Sequence, residues 1–469
     1  MIDAARLSKL KAAMGADKIH DLPGERLDAY SYDCWPVTTK WRQQGSVPYR
    51  PDAVVMAQST ADVAAVMDWA DANGVPVTAR GLGSSVVGGP IPIRGGISLD
   101  LSKMTAVLRI DHENLLVTAQ AGLNAGQLEA HLNEHGYTLN NSPQSLHRSS
   151  IGGWVATRET GQFSSRYGGI EELCSGLVAV LPGGRLLDTG TVPRMAVGPD
   201  LRQLLIGSEG CFAIVVEVTL RIFRLSPARR FQTLTFDALD GGIAAMRDIM
   251  QSGLRPFLLR LYDVEEARHA MVDHSFARPA MFLGTDGSRA MSELEMNECL
   301  DICLRHGGAR IGERGVLAWM ERRFDFSTIE RILNTPGGVA ETIEVSHSWS
   351  GISEIYTALK RRMAPLADEV LGHFSHAYAD GVSLYIILLG KAANAAAAEA
   401  RLHEIWRVAM EAALESGAAI SHHHGTGLVR TGYVHRSLGS SALLLDLVKR
   451  AIDPKGILNP GKLGFTRKE

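Results

Sequence analysis

The stretch Ala79-Arg80-Gly81-Leu82-Gly83-Ser84-Ser85-Val86-Val87-Gly88-Gly89 decides how this chain is read. An apolar run, Val75 to Ala79, stops abruptly at a loop holding four glycines and two serines. Glycine admits positive φ and lets backbone N–H groups approach an anion with no Cβ in the way. That chemistry suits the phosphates of a nucleotide or dinucleotide. Alone, a Gly-Ser loop is more often a plain turn, so its meaning depends on the segments placed beside it.

Outward from the loop the pattern is α/β. Val54-Val55-Met56 reads as a buried strand, and Ser59 caps a helix whose apolar stripe is Val63, Val66, Met67 and Trp69, ended by Asn73-Gly74. Strands are expected at Val75–Thr78, Ile97–Leu101 and Leu115–Ala121, with a helix at Asn124–His135. Leu177–Leu181 and Arg185–Asp188 form a hairpin around Pro182-Gly183-Gly184. A helix at Asp200–Ile206 and a long strand at Cys211–Leu225 close this region. Beyond Ser226-Pro227, strands at Thr233–Phe236, Phe257–Tyr262, Thr342–Val345 and Ser383–Leu389 alternate with helices. One helix runs from near Trp349 to about Leu371, another from Ala392 to Ser416, as in an α+β layer domain.

With 469 residues, more than one domain is expected. The expected division is a covering arm (1–45), a cofactor domain (46–225), a substrate or cap domain (226–420) and a C-terminal segment (421–469) that returns to the cofactor domain. A net charge of −3 and a pI near 6.6 point away from nucleic acid. Met1–Leu10 lacks an apolar signal region, and five cysteines in no disulfide pattern fit a reducing cytoplasm. Cys299 and Cys303 share a helix face and read as core.

Three further loops can join the first. Pro143-Gln144-Ser145-Leu146-His147-Arg148-Ser149-Ser150-Ile151-Gly152-Gly153-Trp154 joins hydroxyls to a glycine pair and leads to Thr157-Arg158; Gly198-Pro199-Asp200 and Gly207-Ser208-Glu209-Gly210 follow. The order Arg-Gly-Xaa-Gly-Ser-Ser, Ser-Xaa-Ile-Gly-Gly, Gly-Xaa-Asp-Leu, Gly-Ser-Glu-Gly resembles the FAD-binding domain of the vanillyl-alcohol oxidase (PCMH-type) flavoproteins. The resemblance implies two α/β subdomains holding FAD, and an α+β cap with an antiparallel sheet. It places Arg80, Gly81, Leu82, Gly83, Ser84, Ser85, Pro143, Ser145 and Ser149 around the pyrophosphate and nearby ring edges. Ser150, Gly152, Gly153, Thr157, Arg158, Gly207, Ser208, Glu209, Gly210 and Ile214 would contact the rest of the cofactor. Relatives often continue Gly-Ser-Glu-Gly with Thr-Leu-Gly, where this chain has Cys211-Phe212-Ala213. Ser84 and Ser85 stand where covalently flavinylated members carry histidine, so non-covalent FAD is expected.

A closer resemblance lies in Ser421-His422-His423-His424-Gly425, Gly152-Gly153-Trp154-Val155-Ala156-Thr157-Arg158 and Tyr167-Gly168-Gly169-Ile170-Glu171-Glu172-Leu173. These segments, with Pro193 to Asp200, resemble the alkyldihydroxyacetonephosphate synthases. That family implies a tyrosine acid/base at Tyr385, an active-site arginine at Arg260, and a histidine cluster at His422, His423 and His424. Its substrate-phosphate arginine falls near Glu330-Arg331, on Arg331 after a one-residue gap. The implied reaction exchanges the acyl group of an acyl-dihydroxyacetone phosphate for a fatty alcohol through a flavin N5 adduct, without net oxidation. The alternative on the same scaffold is a D-2-hydroxyacid dehydrogenase or oxidase of the D-lactate or glycolate type.

The residue types suit either chemistry. A base must take a proton from substrate, a cation must hold an anionic head group, and clustered histidines carry protons. Tyrosine, with its ordinary pKa near 10, can act if cations favour phenolate. On a strand, His422 and His424 would share a face while His423 points away, so one of the three is expected to be structural or to act from behind the others. Leu371-Gly372-His373 echoes a metal segment of the hydroxyacid dehydrogenases, but His423 replaces their second-segment glutamate, so no metal is expected. The substrate is expected to be small or lipid-like. A homodimer is expected, and peripheral membrane contact stays open.

Overall fold

In the computed structural model, residues 2–21 and 24–465 are described, so Met1, residues 22–23 of the expected arm and residues 466–469 of the expected C-terminal segment lie outside it. Ser59 accepts the amide of Asp62 at 3.2 Å to start the helix Thr60–Asn73, and Gly74 ends it at φ 63°. That helix buries Val63, Val66, Met67 and Ala70, against a sheet in which Ala53–Met56, Ile97–Asp100 and Val77–Arg80 run parallel. The short strand Ile19–His20 adds to its edge antiparallel. A second, antiparallel sheet orders Val107–Asp111, Leu116–Gln120, Ile214–Arg221, Cys174–Val180 and Leu186–Asp188. The hairpin 174–188 pairs Val178 with Asp188.

The cap is built on one seven-stranded antiparallel sheet. Its order is Gly308–Arg310, Ala228–Phe236, Ala280–Gly287, Leu258–Tyr262, Glu369–Ala377, Gly381–Lys391, Gly338–Ser348. One face is covered by Leu239–Gln251, Arg289–Arg305, Ile352–Met363 and Ala395–Ser416, whose Leu402, Ile405, Trp406 and Met410 lie in a single core with Ile343, Phe374 and Leu384. The molecule is α+β throughout. Residues 30–41 join both halves: Trp35, Val37 and Trp41 enter the cap core, and Asp33 accepts the amide of Gly88 at 2.8 Å. At the far end of the chain, Val77 donates to the Ile457 carbonyl at 2.8 Å, and the buried Lys462 Nζ donates to the Ile91 carbonyl at 2.8 Å.

Several elements differ from expectation. The strand expected at Cys211–Leu225 begins at Ile214 and breaks at Ile222, whose amide leaves the sheet for the Leu115 carbonyl at 2.9 Å. Pro76 delays the strand expected from Val75 until Val77. The helix expected to reach Leu371 ends at Met363, because Pro365 supplies no amide to continue the helical ladder. Leu371 instead lies in the strand Glu369–Ala377. Strands Val107–Asp111 and Ala280–Gly287 carry no simple alternation and were not foreseen. Cys299 and Cys303 are buried in the cap core, while Cys34 is exposed. No helix among the described residues is long and apolar enough to cross a membrane.

Candidate active site

A cavity of about 650 Å³ lies between the glycine-rich loops and the cap sheet. The first loop is shaped by a close approach. Gly83 sits at φ 70°, and a Cβ there would fall 2.2 Å from Arg80 Nη2, because Arg80 folds beneath its own loop. A Cβ on Gly81 would fall 2.2 Å from Ser150 Oγ, so the first two loops meet with no room for a side chain. Ser85 Oγ accepts the amides of Val87 at 3.3 Å and Gly89 at 3.1 Å, while Ser85 O accepts the amide of Cys34 at 2.8 Å. Arg80 Nη1 is buried without a partner. Glu209, at φ 49°, ties this floor to the C-terminal segment by accepting from the Thr426 amide (2.6 Å), Thr426 Oγ1 (2.8 Å) and the Gly427 amide (2.9 Å).

Strand register builds the opposite wall. Tyr385 stands opposite Glu344 on one side and His373 on the other, and Tyr262 pairs with His373. The His373 and Tyr385 rings therefore stack, 4.6 Å apart at 14°. Arg260 Nη2 donates to His373 Nε2 at 2.8 Å, which places the imidazole proton on Nδ1, where it is donated to Glu266 Oε1 at 2.7 Å. Arg260 Nε donates to the Tyr262 hydroxyl at 3.0 Å. Burial and then Arg260 hold the His373 pKa well below its ordinary value, so this imidazole stays neutral.

The three histidines stand on an irregular turn rather than a strand, because Glu344 gathers their backbone. Glu344 accepts from the amides of His422 and His424 (the latter at 3.1 Å), from Ser421 Oγ at 2.9 Å and from Arg430 Nη2 at 3.0 Å. This corrects the strand-face expectation: His423, not its neighbours, meets the Tyr385 hydroxyl through Nε2. His424 also lines the cavity. His422 lies behind His423, with their Nδ1 atoms 2.7 Å apart. His376, at a bulge in its strand and at φ 53°, faces the same space and contacts Ser164 Oγ at 2.8 Å.

This pocket disfavours charge. Burial pushes His422 and His423 down to about 3 and His424 to about 4. Burial and then the Glu344 charge hold the Tyr385 hydroxyl well above its ordinary value. A resting phenolate and imidazolium ions near neutral pH, both suggested by the residue types, therefore give way to neutral groups. Glu344, paired with Arg430, stays ionised: burial raises its pKa, but Arg430 and the histidines bring it down to about 2.

Of the expected cofactor residues, Arg80–Ser85, Pro143, Ser145, Ser149, Ser150, Gly152, Gly153, Thr157, Ser208–Gly210 and Ile214 line the cavity. Arg158 and Gly207 do not. Arg158 turns outward to Glu171 at 3.3 Å, and Gly207 packs against its stem. Arg331 is exposed outside the cavity; helix phase turns Ile329, Glu330 and Leu333 inward instead, and Glu330 pairs with Arg148. Glu344, Arg430, Glu266 and Tyr378 were not singled out from sequence. The one available signal was a glutamate flanked by the apolar Ile343 and Val345 in an expected strand.

The cavity fits a dinucleotide: buried arginine nitrogen left unpartnered, backbones too close for side chains, and hydroxyls along one floor. Comparison with known proteins decides which. An FAD binding domain matches residues 51–190, and the C-terminal domain of FAD linked oxidases matches residues 225–463. The chain belongs to the FAD-linked oxidase family. Its cofactor is FAD. This FAD-linked oxidase family member is 34% identical to the FAD-linked oxidoreductase YgcU of Escherichia coli O157:H7, over 88% of its own chain and 89% of the relative. It is 26% identical to alkyldihydroxyacetonephosphate synthase of Trypanosoma brucei brucei (97% and 80%) and 27% identical to glycolate oxidase subunit GlcD of Bacillus subtilis (96% and 94%). A solved alkyldihydroxyacetonephosphate synthase superposes with TM-score 0.82 at 23% identity, covering 100% of this chain and 86% of the other. p-Cresol methylhydroxylase does so with TM-score 0.81 at 16% identity, covering 99% and 98%, so the family member has the PCMH-type fold.

Proposed function

We propose that this flavoenzyme is an alkyldihydroxyacetonephosphate synthase-like transferase, exchanging the acyl group of an acyl-dihydroxyacetone phosphate for a fatty alcohol. The carrying observation is the Tyr385–His423 contact on a cavity wall that also presents Arg260 and His424. FAD, held by the Arg80–Ser85 loop and the 143–153 and 208–214 segments, would supply at N5 a centre that accepts an electron pair from substrate carbon. Arg260, fixed between Tyr262 and His373, orients the substrate's anionic group. Tyr385, neutral at rest, donates or returns a proton through a hydroxyl whose other contact is His423. Ile329, Leu333, Ala340 and Ile387 give the cavity an apolar side suited to a hydrocarbon chain. Non-covalent attachment of FAD, a small or lipid-like substrate and a homodimer belong to the same reading.

A second reading, a D-2-hydroxyacid dehydrogenase or oxidase, is favoured by the exclusion of Arg331 from the cavity. Arg260 then holds a carboxylate rather than sharing a phosphate with a second arginine. Anaerobic titration separates the two. A 2-hydroxyacid panel that bleaches the flavin, with turnover dependent on an electron acceptor, supports the second reading and overturns the first. Acyl-for-alcohol exchange on acyl-dihydroxyacetone phosphate with no acceptor present supports the first.

A further inference from the structure

From the cavity outward, four side chains form an unbroken hydrogen-bonded line. The Tyr385 hydroxyl meets His423 Nε2; His423 Nδ1 lies 2.7 Å from His422 Nδ1; His422 Nε2 lies 2.8 Å from the Tyr378 hydroxyl. Tyr385 and His423 line the cavity, whereas His422 and Tyr378 do not. Tyr378 ends the line at the sheet rim, half-buried and followed by exposed Ala379 and Asp380. The Glu171, Glu172 and Asp380 carboxylates and Arg158 act electrostatically on it, and Arg158 is half-exposed in its pair with Glu171.

We propose that Tyr378 is the outer end of a proton relay connecting Tyr385 to solvent at the rim of the cap sheet. The proposal rests on the reading of Tyr385 as acid/base. Each histidine uses both ring nitrogens in the line, so only two ordered arrangements satisfy it. In one, every donor points outward: Tyr385 O–H to His423 Nε2, His423 Nδ1–H to His422 Nδ1, His422 Nε2–H to the Tyr378 oxygen. In the other, every donor points inward. Outward transfer balances as follows. A proton leaving substrate bonds to the Tyr385 oxygen while the original Tyr385 proton passes to His423 Nε2. The His423 Nδ1 proton passes to His422, the His422 Nε2 proton to Tyr378, and the Tyr378 proton to a water or buffer base. No member gains lasting charge, and the line flips from one arrangement to the other.

That property answers the electrostatics. Burial opposes an imidazolium on either histidine and a phenolate at Tyr385, so stepwise charging of the line is costly while a concerted shift is not. The other groups around it fit a neutral path. His376 stacks on His422 with ring centres 5.2 Å apart and is itself held neutral by burial. Glu344 holds the His422 and His424 backbone through amides and is paired with Arg430, leaving it outside the side-chain line. The relay gives the substrate proton an exit that does not depend on opening the cavity.

The test is Tyr378→Phe in the FAD-loaded enzyme, read two ways. In ¹⁵N-histidine spectra without substrate, wild type should show tautomer-averaged ring nitrogens for His422 and His423. Tyr378→Phe should fix His422 in one tautomer and move the His423 signals, although position 378 does not hydrogen-bond to residue 423. Unchanged His423 signals overturn a continuous line. With whichever of acyl-dihydroxyacetone phosphate or a 2-hydroxyacid turns over, Tyr378→Phe should lower kcat about tenfold or more, change the solvent deuterium isotope effect and leave KM in place. Wild-type kcat and isotope effect in Tyr378→Phe, beside an inactive Tyr385→Phe, defeat the relay alone. Full activity in Tyr385→Phe defeats the underlying acid/base reading.

Discussion

Arg430 and Glu344 meet at 3.0 Å with both side chains wholly withdrawn from water. The pair is the hub on which the histidine turn is hung, since Glu344 also takes two amides and a hydroxyl from residues 421–424. Glu344→Ala strands a buried guanidinium, a loss of about 3–5 kcal/mol, and should lower the urea midpoint sharply. The pH dependence has a fixed sign. With the folded pKa near 2 and an ordinary value of 4.5, the unfolded chain takes up the proton first as pH falls. The stabilisation is complete above pH 4.5 and is lost toward pH 2, so Glu344→Ala should show a flatter acid limb. An acid limb identical to wild type would contradict the ionised pair.

Glu341 shows the opposite behaviour. Burial lifts its carboxyl to about 8, although the Thr342 amide (3.0 Å) and Trp406 Nε1 (2.8 Å) both donate to it. The folded state keeps a proton that the unfolded state releases, so stability falls as pH rises from 4.5 to about 8. Glu341→Gln, neutral throughout, should flatten the midpoint-versus-pH curve over that interval. An unaltered slope would show that Glu341 is already ionised at neutral pH.

Gly83 leaves no space for a methyl group beside Arg80, and its φ of 70° is strained for any other residue. Gly83→Ala should weaken FAD binding by roughly tenfold or more, about 1.4 kcal/mol, and should also lower the urea midpoint of the flavin-free protein, since the strain is present without flavin. Flavin fluorescence titration measures this directly, and an unchanged Kd would remove the loop from the cofactor site.

Tyr385→Phe removes one hydroxyl and keeps the ring stacked on His373. Turnover should fall about 10²–10⁴-fold with the flavin absorbance spectrum intact. Loss of bound flavin instead would make the tyrosine a packing residue.

Arg260→Lys keeps a positive charge but cannot span Tyr262 and His373 with a planar fork. KM should rise more than kcat falls, and Arg260→Ala should exceed it in the same direction. Steady-state kinetics with both parameters unchanged would exclude an anion-holding role.

The glycine loops were readable because their residue types have few alternative uses at that density. Tyr385 and Arg260 came only from the resemblance to the alkyldihydroxyacetonephosphate synthases, since a tyrosine on an apolar strand is otherwise read as core. The strand Glu369–Ala377 was not readable, since its mixture of His373, Ser375 and His376 hides the period-two pattern. Glu344 and Arg430 lie 86 residues apart; the pairing of Gly338–Ser348 with Gly381–Lys391 and the bridge from Ser346 to Ala419 bring that glutamate beneath the histidines. Arg331 shows the converse. Linear alignment could not tell which of two adjacent side chains a short helix turns inward, a matter of about 100° of rotation.

The stretch from Tyr30 to Trp41 belongs to two structures at once. Asp33 and Cys34 brace the dinucleotide loop, while Trp35 and Trp41, ring centres 5.5 Å apart, are packed into the cap. The seam is continuous: one short segment carries both the hydrogen bonds to the glycine-rich loop and the tryptophans packed in the cap core. Release of cofactor therefore need not be a local event, and the fluorescence of Trp35 and Trp41 should report flavin loading from inside a domain that holds no part of the glycine-rich loops.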